Sequence, residues 1–202
     1  MATADKQIAQ LLGSIAAELP GCATAEKIAA LEQAAVRFCR QSRAWRHTLT
    51  VDIPAGERAV ALAWPLGAIS YSTDLYRVDG LLVVRGCVTY AFRVVSRQTG
   101  TWRQGIEFEA ALSADRAIPI EVHGVLAPVG GPVAGSDSIH MPEWIIDRYS
   151  EAIAAGAVAK LKRHAGKPYS DPDGATYADR EFLRGVADAC FEGAQSVGRV
   201  VL

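Results

Sequence analysis

The hydrophobic period of this chain changes twice, and that double switch limits the folds open to it. Near the start, Ile8, Leu11, Leu12, Ile15 and Leu19 recur at spacings of three and four, the stripe of an amphipathic helix. Pro20 and Gly21 interrupt it. Thr24 then offers a side-chain oxygen to an orphan N–H of a new first turn, and a second stripe follows at Ile28, Leu31, Ala35, Phe38 and Cys39. Trp45 closes that pattern. From about residue 47 the period becomes two. HTLTVDI alternates, Pro-Ala-Gly-Glu makes a turn, and RAVALAW returns, which reads as a hairpin. GLLVVRG and TYAFRVV follow, and IEFEAAL and IPIEVHGVL make a further pair. A Gly/Pro/Ser-rich connector, 128–138, leads back to helical spacing.

Helices at both ends with consecutive hairpins between them place the chain in the α+β class. The expected architecture is a four-helix bundle-like domain from 1–46 and 139–194, with two N-terminal and two C-terminal helices. An antiparallel β-sheet or sandwich domain, 47–138, is inserted in it, and 195–202 form a C-terminal tail. A length of 202 residues suits one substantial core, or a small core with an inserted subdomain.

The second helical zone is the more unusual. Pro142 suits a first helical turn, where its missing N–H is no loss. Ile145, Ile146, Tyr149, Ile153 and Leu161 mark an apolar face, while Ala152, Ala154, Ala155, Gly156, Ala157 and Ala159 make the middle slim. Glycine inside a helix costs about 1 kcal/mol relative to alanine, so Gly156 reads as a point where another backbone approaches. The stretch GKPYSDPDG then poses a choice between a phosphate or metal loop and a helical corner. Gly166 fits the left-handed residue that ends a helix, with Lys160, Lys162, Arg163 and His164 against the negative end of the helix dipole. Asp171 suits an N-cap and Pro172 the first helical position. Gly166, Pro168, Asp171 and Pro172 together read as the corner of a helical hairpin. The last helix carries Ala178, Phe182, Val186 and Ala189 on one face and is expected to end near Gly193.

Chemical motifs are scarce. Gly166-Lys167 is followed by Pro168, not by the Ser or Thr of a phosphate-binding loop. There is no G-x-G-x-x-G after a strand, no G-x-S-x-G and no H-E-x-x-H. Asp171, Asp173 and Gly174 faintly resemble a calcium loop, but the position of its closing Glu is Phe182. Glu121 and His123 share a strand face, as an acid/base or metal pair or as a cross-strand polar pair. Residues 160–167 form a basic cluster, open to DNA or an acidic partner, or simply a solvated helix end. Trp45 and Trp144 read as core or interface anchors.

A formal net charge of −1 disfavours sequence-specific nucleic-acid binding, which needs cations for phosphates. Cys22, Cys39, Cys87 and Cys190 are far apart and form no Cys-x-x-Cys pair, which points to a reducing compartment. Cys39 and Cys190 are expected to act as small buried apolar groups. The N-terminus does not read as a signal peptide, and no segment reaches the roughly 20 apolar residues that span a bilayer.

The segment MPEWIIDRYSEAIAAGAVAKLKRHAGKPYSDPDGATYADREFLRGVADA resembles the C-terminal helical pair of tailed-bacteriophage head-to-tail adaptor proteins, the connector or tail tubular protein A-like family. The resemblance lies in the Pro-initiated helix, AIAAGAVAKL, GKPYSDP and the alanine-rich helix after it. LEQAAVRFCRQSRAWR is similar to the family's N-terminal part, and IPAGERAVAL suits its β insert. Tyr169 stands where the family leads one to expect Trp.

The resemblance implies a non-enzymatic virion protein without cofactors, assembled in the host cytoplasm and located at the portal–tail junction. It implies a homo-oligomeric ring of twelve copies seated below the portal protein. Such a ring extends the channel for DNA ejection, lies close to DNA without specificity, and docks the downstream tail or nozzle protein. Gly156, Ala157, Tyr149 and Trp144 are then expected in helix packing or the ring interface. The apolar tail, with Arg199, Val200, Val201 and Leu202, is expected to order on the portal by strand addition or groove insertion. Two other readings stand beside this one: a small-molecule enzyme or binding domain using the β zone with Glu121 and His123, and another neck or tail accessory such as a stopper or minor tail protein.

Overall fold

The computed structural model describes residues 11–54, 57, 59–63, 68–70, 92–96, 104–108, 118–128 and 141–197. The chain mixes helix and strand and divides into two compact units, Met1–Trp45 with Ala127–Leu202, and Arg46–Leu126.

The helical unit begins with α1 (described over residues 11–16), followed by α2 (Thr24–Ser42), α3 (Glu143–Lys162) and α4 (Pro172–Val197). Leu11, Ile15 and Leu19 are fully buried, and Leu12 is half-buried. On α2 the buried stripe is Ala30, Leu31, Ala34, Ala35, Phe38 and Cys39. Ile28 is only half-buried, at the margin of that stripe.

The middle of α3 behaves differently. From Ala152 to Ala159 only Ala155 has appreciable exposure. A helix apolar on all sides is a central helix, and small side chains let neighbours approach it closely. Phe182 of α4 lies over Gly156: a Cβ built there would sit 2.5 Å from the ring's Cδ2 and 3.3 Å from the Ala34 Cβ of α2. The reverse contact is made by Gly185 of α4, where a Cβ would collide with that of Ala152. Phe182 also meets Phe38 edge-on at 6.3 Å, and Phe38 meets Tyr149 at 5.1 Å. The Arg37 guanidinium covers the Phe182 ring at 4.4 Å.

Helix ends depart from the sequence expectations in four places. The residue before α2 is Ala23, extended at φ −64° and ψ 142°, so Thr24 is already helical and cannot act as the cap. Pro142 precedes the first helical residue, Glu143, by one position. Helix α3 ends at Lys162, and Gly166, with φ 77°, forms the turn beyond it rather than the helix terminus. Helix α4 runs on through Gly193 to Val197, because one interior glycine costs only about 1 kcal/mol. Residues 195–197 are therefore helical, not tail.

The second unit holds β1 (Arg46–Ile53), β2 (Ala59–Ala61), β3 (Ala68–Ser70), β4 (Phe92–Ser96), β5 (Gln104–Phe108) and most of β6 (Ile118–Pro128). Among the described residues they form two three-stranded sheets, ordered β1-β6-β3 and β2-β5-β4. Among the described residues, β1 and β2 do not pair as the expected hairpin. The turn itself forms, with Glu57 N–H donating to the Pro54 carbonyl at 3.1 Å, but the strands on its two sides enter different sheets. The described part of IEFEAAL, residues 106–108 in β5, likewise belongs to a different sheet from IPIEVHGVL in β6.

Register explains the outcome. Antiparallel β1–β6 pairing sets Leu49, Val51 and Ile53 opposite Val122, Ile120 and Ile118, while Thr48 and Thr50 face His123 and Glu121. Apolar positions match apolar ones along the ladder, and a slip of one residue would break every match. In the other sheet Val60 and Val94 both register with Ile106, Phe92 with Phe108, and Arg93 with Glu107. GLLVVRG lies outside the described residues, as does the connector from residue 129.

Candidate assembly surface on the helical unit

The corner between α3 and α4 shows what GKPYSDP does. Ser170 N–H donates to the Lys167 carbonyl at 3.0 Å, and Asp171 N–H to the Lys162 carbonyl at 3.0 Å. Asp171 caps α4: its carbonyl accepts from Ala175 N–H at 2.8 Å and its Oδ1 from Gly174 N–H at 2.9 Å. Pro172 is the first helical residue. The carboxylate of the calcium-like stretch is thus engaged with its own helix, and its Oδ2 lies 3.6 Å from Lys162 Nζ. Among the described residues no three His, Cys, Asp or Glu side chains cluster as metal ligands.

This corner is fixed to the α1–α2 turn. Pro168 packs on Gly21, whose φ of 76° holds the chain in the left-handed region. Glu26 is the polar centre: it accepts from Tyr169 Oη at 2.7 Å, Lys167 Nζ at 3.3 Å and Cys22 Sγ at 3.5 Å. Those donors stabilise its charged form and lower its pKa, the Tyr169 bond most. The same bond, with burial behind it, pushes the Tyr169 hydroxyl up. Burial also pushes up the Cys22 thiol, and that of Cys39 to about 12, so both stay as neutral thiols at neutral pH.

The basic cluster is likewise committed within the chain. Lys160 donates to Gln33, and Lys162 pairs with Glu18 at 3.4 Å. Arg163 pairs with Asp179 at 3.1 Å, an acid it shares with Arg37 at 3.1 Å.

At the other end of the hairpin, α3 is kinked at Tyr149, with φ −126° and ψ 15°. The Tyr149 hydroxyl donates to Glu192 at 2.7 Å, and Arg148 pairs with the same carboxylate at 3.0 Å. Burial, then the Glu192 bond, pushes the Tyr149 hydroxyl up to about 12. An open cavity of about 410 Å³ lies here, lined chiefly by charged groups including Arg148, Glu151, Arg184 and Asp188, with Phe191 among them.

Of the residues singled out for packing or assembly, Gly156, Ala157 and Tyr149 are buried within the chain. Trp144 is 44% exposed. Arg199, Val200, Val201 and Leu202 lie outside the described residues. Glu121 and His123 lie two residues apart on β6, in backbone register with Thr50 and Thr48. Cys190 is exposed rather than buried, because it flanks the α4 core stripe; its thiol donates to the Gln41 and Ser42 carbonyls at 3.5 and 3.3 Å.

The features not singled out from the sequence are Glu26, Gly185 and the outer side of α4. Among the described residues, the exposed large apolar side chains are Tyr177 (67%), Phe191 (66%), Leu183 (46%) and Trp144. Three lie on α4 and the fourth in the first turn of α3. Helical spacing already sets Tyr177 and Phe191 off the Ala178–Phe182–Val186–Ala189 stripe. No described helix is long and apolar enough to cross a membrane. Neither a scan against family models nor a search of curated proteins gives a match to this chain.

Proposed function

We propose that this chain is a head-to-tail adaptor of a tailed bacteriophage, a structural subunit whose copies form a ring beneath the portal. The observation that carries the proposal is the division of labour in the α3–α4 hairpin. The small-residue helix of AIAAGAVAKL is consumed in packing, and the exposed large apolar side chains collect on its partner helix and on its own first turn. That arrangement suits a building block, whose activity is to present surface, and it falls on the same residues that resemble the adaptor family.

In this reading the helical unit is a four-helix bundle and the β unit an inserted sandwich. Twelve copies extend the DNA channel at the neck of the virion and dock the next tail component, with no catalytic step and no cofactor. A near-neutral chain suits a channel that must let DNA pass, since a strongly basic lumen would hold it. The segment Arg199–Leu202 serves as a portal contact.

Negative-stain imaging of the purified protein mixed with portal tests the reading. Rings stacked on portal are the expected result. A monomer that never associates with portal overturns it.

A further inference from the structure

We infer that the cavity between α3 and α4 receives an arginine side chain from a partner protein. Its guanidinium sits between Glu151 of α3 and Asp188 of α4 and stacks on the Phe191 ring. Neither a ring nor a portal is required for this contact.

The cavity exists because its floor is made of small residues. Gly185 of α4 and Ala152 of α3 meet so closely that no Cβ fits at Gly185. Side chains of this size cannot fill the space above them, and about 410 Å³ stays open between the two helices. Phe191 lines that space and is nevertheless 66% exposed, so its ring is available to an incoming group.

The walls carry an excess of negative charge. Four carboxylates, of Glu151, Glu181, Asp188 and Glu192, stand against the two guanidinium groups of Arg148 and Arg184, a net charge of −2. Both arginines are matched within the chain. Arg148 pairs with Glu192 at 3.0 Å, where the Tyr149 hydroxyl also donates at 2.7 Å, and Arg184 pairs with Glu181. Glu151 and Asp188 have no hydrogen bond or ion pair among the described residues. The two uncommitted charges therefore come from different helices and border one space.

The ring beside them selects the kind of cation. Asp188 and Phe191 are one helical turn apart on α4, about 5–6 Å between Cβ atoms. A flat guanidinium can lie on an aromatic face while its fork of N–H donors reaches carboxylates at the edge. A lysine ammonium is a compact, strongly hydrated point charge and does not combine the two contacts as well. Among the described residues no three side chains cluster as metal ligands, so a bare cation is not held in this way. Free arginine would bring its own carboxylate into a space that already has too many. Within a protein that group is a neutral amide, and a chain lying across the open cavity can insert the one side chain.

The test is biolayer interferometry of the full chain against a sensor carrying a capped Gly-Arg-Gly peptide, with lysine and citrulline versions beside it. Wild type is expected to prefer the arginine peptide to both. E151Q/D188N is expected to lose at least about tenfold in affinity, since two charged hydrogen-bond acceptors are gone. E151D/D188E, which keeps both charges, is expected to bind like wild type. Phe191→Ser is expected to lose about threefold, the size of an exposed cation–aromatic contact. As competitors in solution, acetyl-arginine amide is expected to release the protein at lower concentration than free arginine. No binding by wild type, equal binding by E151Q/D188N, or equal binding of the lysine or citrulline peptide each overturns the inference. Free arginine that competes as well as the capped form removes the protein source and overturns it too. So does an Arg199→Gln chain that binds the peptide more tightly than wild type, because the cavity then belongs to the chain's own C-terminal arginine.

Discussion

Helices α3 and α4 form one hairpin and solve opposite problems. The middle of α3 is built mainly from alanine and glycine, with Ile153 and Val158 among them, and is buried almost all round, whereas α4 buries one stripe and leaves Tyr177, Leu183 and Phe191 exposed. The residues with the most apolar surface are thus not all in the core. Small side chains on α3 let neighbouring helices come close enough for Phe38, Phe182 and Tyr149 to meet. Size within the core serves approach, and size on the outer side of α4 remains free for another surface.

The sharpest way to break this contrast is to truncate one phenylalanine from each side of α4. Phe182→Ala is expected to cost about 3–5 kcal/mol of stability in urea unfolding, since it empties a fully buried site against Gly156. Phe191→Ala should change stability by no more than about 0.5 kcal/mol. Comparable losses for the two would erase the distinction. Gly185→Ala comes next, at about 2 kcal/mol, because its methyl collides with that of Ala152, which is fixed to the backbone. Adding Ala152→Gly is expected to recover much of the loss in a double-mutant cycle, and strictly additive losses would show that the two helices do not approach there.

Smaller effects belong to the polar ties at the two ends of the hairpin. Tyr149→Phe removes the bond to Glu192 and is expected to cost about 1 kcal/mol in the same unfolding measurement. At the corner, Tyr169, Lys167 and Cys22 hold the Glu26 carboxyl below its ordinary value of 4.5. A depressed carboxylate stabilises the fold above its unfolded pKa, and that contribution is lost as pH falls through the folded value. Melting curves below about pH 4.5 should therefore show a decline that Glu26→Gln lacks, because that variant has lost the contribution at every pH.

Much of the helical unit could be read from the chain because helix periodicity is local. Leu11, Ile15, Leu31, Phe38, Ile145, Ile153 and Phe182 are all buried where spacing places them. Asp171 and Pro172 open α4 because cap chemistry depends on a few consecutive residues. Strand pairing is not local. Alternation marks strands in and around β1, β2, β4, β5 and β6 but names no partner, and the shortest connection, Pro54 to Glu57, suggests the wrong one. The matching signal is present, since Leu49-x-Val51-x-Ile53 mirrors Ile118-x-Ile120-x-Val122, but it appears only when distant segments are compared. The corner clamp was hidden for the same reason: Glu26 and Tyr169 are remote in sequence, and nothing near either residue announces the bond. The outer aromatics of α4 were legible as positions off the buried stripe, while their importance depends on finding α3 enclosed.

Hydroxyl-radical footprinting of the free protein and of protein assembled on portal tests the account most directly. Phe38 and Phe182, buried within the chain, should be unreactive in both states. Tyr177, Phe191 and Trp144 should be reactive in the free subunit and protected in the assembly. Equal reactivity of those three residues in both states would contradict the account, for α4 would then present its outer side to solvent alone.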